Sequence, residues 1–128
     1  VAASEAAQAA SNAQAEAEAR EAAELQPIRD AVAANAERGE YGADALARRL
    51  GMSRSVLYRR VSELGRSSPA ELVRELRLKR AAELLTETDE QISTIAYTCG
   101  FRSVSAFSRA FSKLMGTTPR GWRKRATG

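Results

Sequence analysis

The chain has 128 residues, 44% of them apolar and 5% aromatic, with 20 Lys and Arg against 16 Asp and Glu; this suits one modest domain or two very small lobes. No stretch approaches the roughly 18 unbroken apolar residues of a membrane span, and residues 1–25 carry neither the basic nor the apolar region of a signal peptide. Histidine is absent, which removes the commonest general base and metal ligand, and the single cysteine, Cys99, rules out an internal disulfide and suits a reducing, cytoplasmic compartment.

The charge is unevenly spread. Residues 1–25 hold five Glu and one Arg, whereas residues 26–128 hold 19 Lys and Arg against 11 Asp and Glu. A basic domain behind an acidic segment points to a polyanionic partner. The first segment is about half alanine, the rest mostly Glu and Gln, and nothing from Ala2 to Leu25 interrupts a helix. Its alanines nearly encircle the helix, so no a/d seam stands out. It reads as an exposed helix, a connector to an upstream domain, or an Ala-rich dimerising coil. Pro27 is expected to break this run and start a second helix, with Ile28, Ala31, Val32 and Asn35 on its inner face and a glycine cap at Gly39.

Gly42 to Leu50 reads as the next helix, with Ala43, Leu46, Ala47 and Leu50 on one face. Gly51-Met52 makes a tight turn, and Ser53 caps the following helix. There Leu57, Val61 and Leu64 point inward, and Ser55, Tyr58, Arg59 and Ser62 lie opposite them at 100° per residue. Two short helices around a glycine turn, the second with a polar outer face, are the marks of a helix-turn-helix.

Ser68-Pro69-Ala70-Glu71 is a strong helix start, with Ser68 as N-cap, Pro69 at the first helical position and Glu71 placed to close a capping box. Leu72, Val73, Leu76, Ala81, Leu84 and Leu85 form its apolar side. The helix runs to about Thr86, roughly 18 residues and about 27 Å. Most of Arg74, Arg77, Lys79 and Arg80 read as a solvated basic face, the alternative being that some of them sit near phosphates. Ile92, Ile95, Ala96 and Cys99 mark another helix, with Cys99 a small core residue. After the turn at Gly100-Phe101, Ser103 caps a helix whose inner face is Phe107, Phe111 and Leu114, and whose outer face is Ser105, Ser108, Arg109 and Ser112. Met115-Gly116 ends it, and Thr118-Pro119 starts a last helix to about Arg125 with Trp122 for packing.

The two helix-turn-helix candidates repeat one pattern. Ala47-x-x-x-Gly51 matches Ala96-x-x-x-Gly100, and Ser53, Leu57, Arg59 and Val61 match Ser103, Phe107, Arg109 and Phe111, with one extra residue in the second turn. Each copy carries an arginine at the same outward place. Successive major-groove segments on one face of B-DNA lie about 34 Å apart, a distance that a helix of about 27 Å with its end turns can span.

With these residues the chain resembles the AraC/XylS family of transcription regulators over about Ile28 to Arg125. The resemblance rests on Leu46-Ala47-Arg48-Arg49-Leu50-Gly51-Met52-Ser53 with Leu57-Tyr58-Arg59-Arg60, and on Arg77-Leu78-Lys79-Arg80-Ala81-Ala82-Glu83-Leu84-Leu85. It continues with Ile95-Ala96-Tyr97, Cys99-Gly100-Phe101, Phe107-Ser108-Arg109-Ala110-Phe111, and Gly116-Thr117-Thr118-Pro119 with Trp122-Arg123. Val61 and Trp122 depart mildly from the family's usual phenylalanine and tyrosine. The resemblance implies an all-α double helix-turn-helix domain over residues 27–128: lobe one at about 27–67, a linker helix at about 68–86 and lobe two at about 87–126. Residues 1–26 would connect it to an upstream domain. It implies a bacterial regulator that contacts duplex DNA, RNA polymerase and, through the first helix or an upstream domain, a second copy of itself; the lack of a histidine, a metal-ligand cluster, a phosphate loop and a nucleophile motif separately argues against an enzyme, and no cofactor is expected.

Arg59 and Arg109 are the leading candidates for base contacts, since a guanidinium can bind guanine O6 and N7 together. Ser55, Tyr58, Val104, Ser105 and Ser108 would complete the readout. Ser53 and Ser103, at helix N-termini, and Arg54, Arg102 and Arg120 are candidate phosphate contacts. Against these stand simpler roles: capping for Ser53 and Ser103, a phosphate contact or a surface ion pair for Arg59 and Arg109, and packing at the lobe edge for Val104. A protein-interaction module built on the Ala-rich helix would leave the doubled arginine-bearing helices unexplained. RNA is a poor fit, because A-form helices hide their major groove.

Overall fold

A computed structural model describes residues 2–127 of the chain. Seven helices follow in order: α1 (Ala2–Glu37), α2 (Ala43–Leu50), α3 (Arg54–Glu63), α4 (Pro69–Glu87), α5 (Ile92–Thr98), α6 (Val104–Met115) and α7 (Pro119–Thr127). There is no strand among the described residues.

The helices build two separate cores. The first gathers Leu25, Ile28, Ala31 and Val32 of α1, Leu46 and Ala47 of α2, Leu57 and Val61 of α3, and Leu72, Val73 and Leu76 of α4. The second gathers Leu78, Ala81, Ala82 and Leu85 of α4, Ile95 and Ala96 of α5, Cys99, and Phe107 and Phe111 of α6, with Trp122 of α7 packed on it. α4 therefore serves both lobes, its first half in one and its second half in the other.

The expected break at Pro27 does not occur. α1 runs through it as one helix of 36 residues. A proline inside a helix removes one backbone bond and crowds the preceding turn, at a cost of about 3 kcal/mol. The helix persists because Leu25 and Ile28, on either side of Pro27, are both buried in the first core. A break would pull one of them out, so packing outweighs the local penalty. Upstream of Leu25 the helix is exposed from Ser4 to Glu24. It is supported there by its alanines and by side-chain pairs four residues apart, such as Gln8 to Asn12 at 3.0 Å and Gln14 to Glu18 at 3.1 Å.

Arg66, just after α3, ties this helix to the linker. It donates to Glu21 of α1 at 2.8 Å, to Glu75 of α4 at 2.7 Å and to the Leu64 carbonyl at 2.7 Å. Those carboxylates, Glu75 first, raise the Arg66 pKa above its ordinary value. Burial works against the charge on Glu75, but Arg66 and Lys79 outweigh it and hold its pKa below the usual carboxylate range.

Two further expectations need correction. Ser68 caps α4 by accepting from the Glu71 amide at 3.2 Å, but Glu71 does not reach back to the Ser68 amide. Its carboxylate takes the Ser67 amide at 3.0 Å and the Ser67 hydroxyl instead, and these bonds lower its pKa. The box is displaced by one residue because Ser67 offers two donors to one carboxylate. Leu114 is not on the inner face: it is 45% exposed. From this end of α6 and from α7, Met115 and Trp122 reach the second core in its place.

Candidate nucleic-acid interface

The two turns repeat each other bond for bond. Gly51 closes α2 with φ +68, its amide donating to Arg48 O at 3.1 Å while the Met52 amide donates to Ala47 O at 3.0 Å. Gly100 closes α5 with φ +89, its amide donating to Tyr97 O at 3.0 Å while the Phe101 amide donates to Ala96 O at 3.0 Å. Both are Schellman ends, which need a left-handed residue and hence favour glycine. Ser53 then accepts from the Val56 amide at 3.2 Å and Ser103 from the Ala106 amide at 3.1 Å. The extra residue of the second turn is absorbed before the cap, so the two outer helices start alike. Ala47 and Ala96, Leu57 and Phe107, and Val61 and Phe111 are buried at matching places.

With those residues inside, the opposite faces of α3 and α6 are held outward. On α3, Ser55, Tyr58 and Arg59 are exposed; on α6, Ser105 and Arg109 are exposed, and Val104 and Ser108 half-buried. Arg54 and Arg102 flank the two starts and are exposed, as is Arg120 in the first turn of α7. Ser53 is exposed and Ser103 half-buried. Each capping hydroxyl uses its oxygen on the backbone and keeps its proton for donation. Neither α3 nor α6 carries an acidic residue in its first turn, so the positive end of each helix dipole is uncompensated.

The arginines differ in their surroundings. Among the described residues, Arg59, Arg102, Arg109 and Arg120 take part in no ion pair. Arg54 stands 3.8 Å from Asp44, lies over the Tyr58 ring at 5.5 Å and donates to its hydroxyl at 3.4 Å. That bond with Tyr58 is the main cause of the raised Arg54 pKa. Arg54 and Tyr58 thus form one exposed unit on α3, while Arg109 stands apart on α6.

Two positioning residues, Arg77 and Arg123, were not singled out from the sequence as such. Arg77 is half-buried, not part of a solvated face. It donates to the Cys99 and Gly100 carbonyls at 2.9 and 2.8 Å, and its guanidinium lies over the rings of Tyr41 and Phe101. A signal existed: Val73, Arg77 and Ala81 are spaced by four, so Arg77 falls on a stripe whose other members are buried. Arg123 of α7 donates to Leu85 O at 3.0 Å and Thr88 O at 3.2 Å. It supplies the positive charge at the end of α4, whose own last turn has no basic residue. Trp122 donates from its indole nitrogen to Ala82 O at 3.3 Å. Cys99 is a core residue whose burial pushes its pKa up to about 11.

Two glycine-turned helix pairs, each presenting a basic outer helix and joined by one shared helix, define a double helix-turn-helix protein. The family model for a helix-turn-helix domain matches residues 46–125. A solved AraC-type DNA-binding-domain transcriptional regulator from Chromobacterium violaceum is 33% identical with a TM-score of 0.70, over 84% of this chain and 96% of that one. The DNA-binding domain of AdpA, solved in complex with a target DNA, is 31% identical with a TM-score of 0.61, over 77% of this chain and 91% of that one. Among curated proteins, a histidine kinase of Formosa agariphila is 38% identical over 81 residues, 63% of this chain and 6% of the kinase. The transcriptional activator RhaS of Escherichia fergusonii is 32% identical over 77 residues, 60% of this chain and 28% of that protein. The chain belongs to the AraC-type helix-turn-helix family of transcription regulators. It spans about a quarter or less of the length of these curated relatives.

Proposed function

We propose that the chain binds duplex DNA sequence-specifically by setting α3 and α6 into adjacent major grooves, as the output domain of a larger transcription regulator. The observation that carries this reading is the doubled turn-and-cap geometry, which turns Arg59 and Arg109 outward from two separate cores. In this reading Arg59 and Arg109 contact bases, and Ser55, Tyr58, Val104, Ser105 and Ser108 complete the readout by hydroxyl and apolar contacts. Ser53, Arg54, Arg102, Ser103 and Arg120 hold phosphates. The exposed first part of α1 serves as the connection to an upstream domain or as a self-association segment, and RNA polymerase is a further partner.

Selection of bound duplexes from a random pool tests this directly. Two half-sites about one helical turn, roughly 34 Å, apart are expected. Affinity should also drop steeply with salt, by about 10³–10⁵ between 50 and 200 mM if six to ten phosphates are contacted; a flat salt response would sink the proposal. Within the selected site, Arg109→Ala should cost about 1–3 kcal/mol and relax preference at one base position. Loss of equal size across all site variants would instead make Arg109 a phosphate contact.

A further inference from the structure

We propose that Arg77 sets the relative orientation of the two reading helices and thereby determines which spacing between half-sites the protein accepts. The inference rests on the duplex-binding reading above and adds to it a positioning residue that touches no DNA.

The argument begins with the division of the cores. The first ends on α4 at Leu76 and the second begins at Leu78. Arg77 stands between them, the single residue of α4 that separates the last member of the first cluster from the first member of the second. Apolar packing is non-directional; each lobe is held to α4 mainly by such contacts, which by themselves tolerate small rolls and slides. Arg77 adds directional contacts to both lobes at once. Toward lobe two, Nε and Nη2 donate to the Cys99 and Gly100 carbonyls at 2.9 and 2.8 Å, in the turn that immediately precedes α6. Toward lobe one, the guanidinium lies 4.6 Å from the ring centroid of Tyr41, in the loop that precedes α2. Phe101, one residue beyond Gly100, lies 5.1 Å from it on the lobe-two side. A planar guanidinium can stack and donate two aligned bonds together, which an ammonium cannot.

The lobes also touch directly at this point. A Cβ on Gly100 would lie 2.4 and 2.8 Å from two ring carbons of Tyr41, so the second turn is seated against the first lobe's loop. A further cross-lobe tie is the ion pair of Arg29 on α1 with Glu83 on α4, whose side chains are 39% and 37% exposed. Such a solvent-screened pair contributes little. Arg77 has no carboxylate partner among the described residues. Its contacts are all with backbone carbonyls and ring faces, groups that report geometry and not net charge.

The test uses the full chain and duplexes holding the two selected half-sites with the spacer varied one base pair at a time. The wild type is expected to show a single optimum. Arg77→Ala should lower affinity about tenfold at that optimum but no more than about threefold at neighbouring spacings, because the two heads then engage with a broader effective concentration. The slope of affinity against salt should not change, since no phosphate contact is lost. Arg77→Lys should flatten the profile similarly. Tyr41→Phe, which keeps the ring, should retain the sharp optimum, and Tyr41→Ala, outside both cores, should lose it. A uniform fall at every spacing in Arg77→Ala and Tyr41→Ala, with the optimum as sharp as before, would overturn the inference and leave duplex binding intact. A wild-type chain that selects no duplex would overturn the underlying reading, and this one with it.

Discussion

Phe111→Ala is expected to remove about 3–5 kcal/mol of stability, the range for truncating a fully buried aromatic side chain, and to do so in one lobe. Phe111 is fully buried and forms the centre of an aromatic row, with its ring 5.6 Å from Phe107 and 5.9 Å from Trp122, the latter edge-on. Truncation leaves a cavity and removes two favourable ring pairs. Domains of this size have only about 5–15 kcal/mol of total stability, so the loss is a large share. Because the second core shares no residue with the first, the weakened part should be α5, α6 and α7. Urea denaturation gives the total, and amide exchange gives its distribution. Protection lost equally in α2 and α3, or a change below about 1 kcal/mol, would contradict the two-core description.

Gly100→Ala should cost about 2–5 kcal/mol, from about 1–2 for an L-residue in the left-handed region and about 1–3 for overpacking. The second part arises because the new methyl would meet the Tyr41 ring and approach Arg77 Nη2 to 3.0 Å. Gly51 provides the internal control. Its φ of +68 is of the same kind, but nothing lies within 4 Å of a Cβ there. Gly51→Ala should therefore show the conformational part alone, about 1–2 kcal/mol. Thermal or urea melts of both variants measure the difference. Equal costs would mean that the Gly100–Tyr41 seat contributes nothing, and a Gly100→Ala, Tyr41→Ala double variant should recover most of the excess.

Much of the site was legible because it is written in local chemistry. Serine before a run of helix formers caps at Ser53, Ser68 and Ser103, as the backbone bonds to their hydroxyls bear out. Glycine four residues after a buried alanine ends a helix at Gly51 and Gly100, both with positive φ. The period of 3.6 separated Leu57, Val61, Phe107 and Phe111 from the outward residues. Local chemistry also misled where a distant partner decided the outcome. Pro27 should stop a helix, yet two side chains flanking it are claimed by the same core. Leu114 has the inward spacing, yet Met115 and Trp122 fill the position it would take. Arg77 has the composition of a surface residue, but its partners lie at Tyr41 and at Cys99 to Phe101, far away in sequence.

The sequence by itself therefore determined the all-helical class, the doubled turn-and-cap unit and the outward faces of α3 and α6, because each depends on interactions within a few residues along the chain. Only the tertiary structure decided that α1 is continuous into lobe one, that the apolar residues divide into two cores on either side of Arg77, and that one guanidinium is shared between the loops that precede α2 and α6. Those outcomes depend on which distant side chains meet, and the spacing of residues along a single helix carries no information about that.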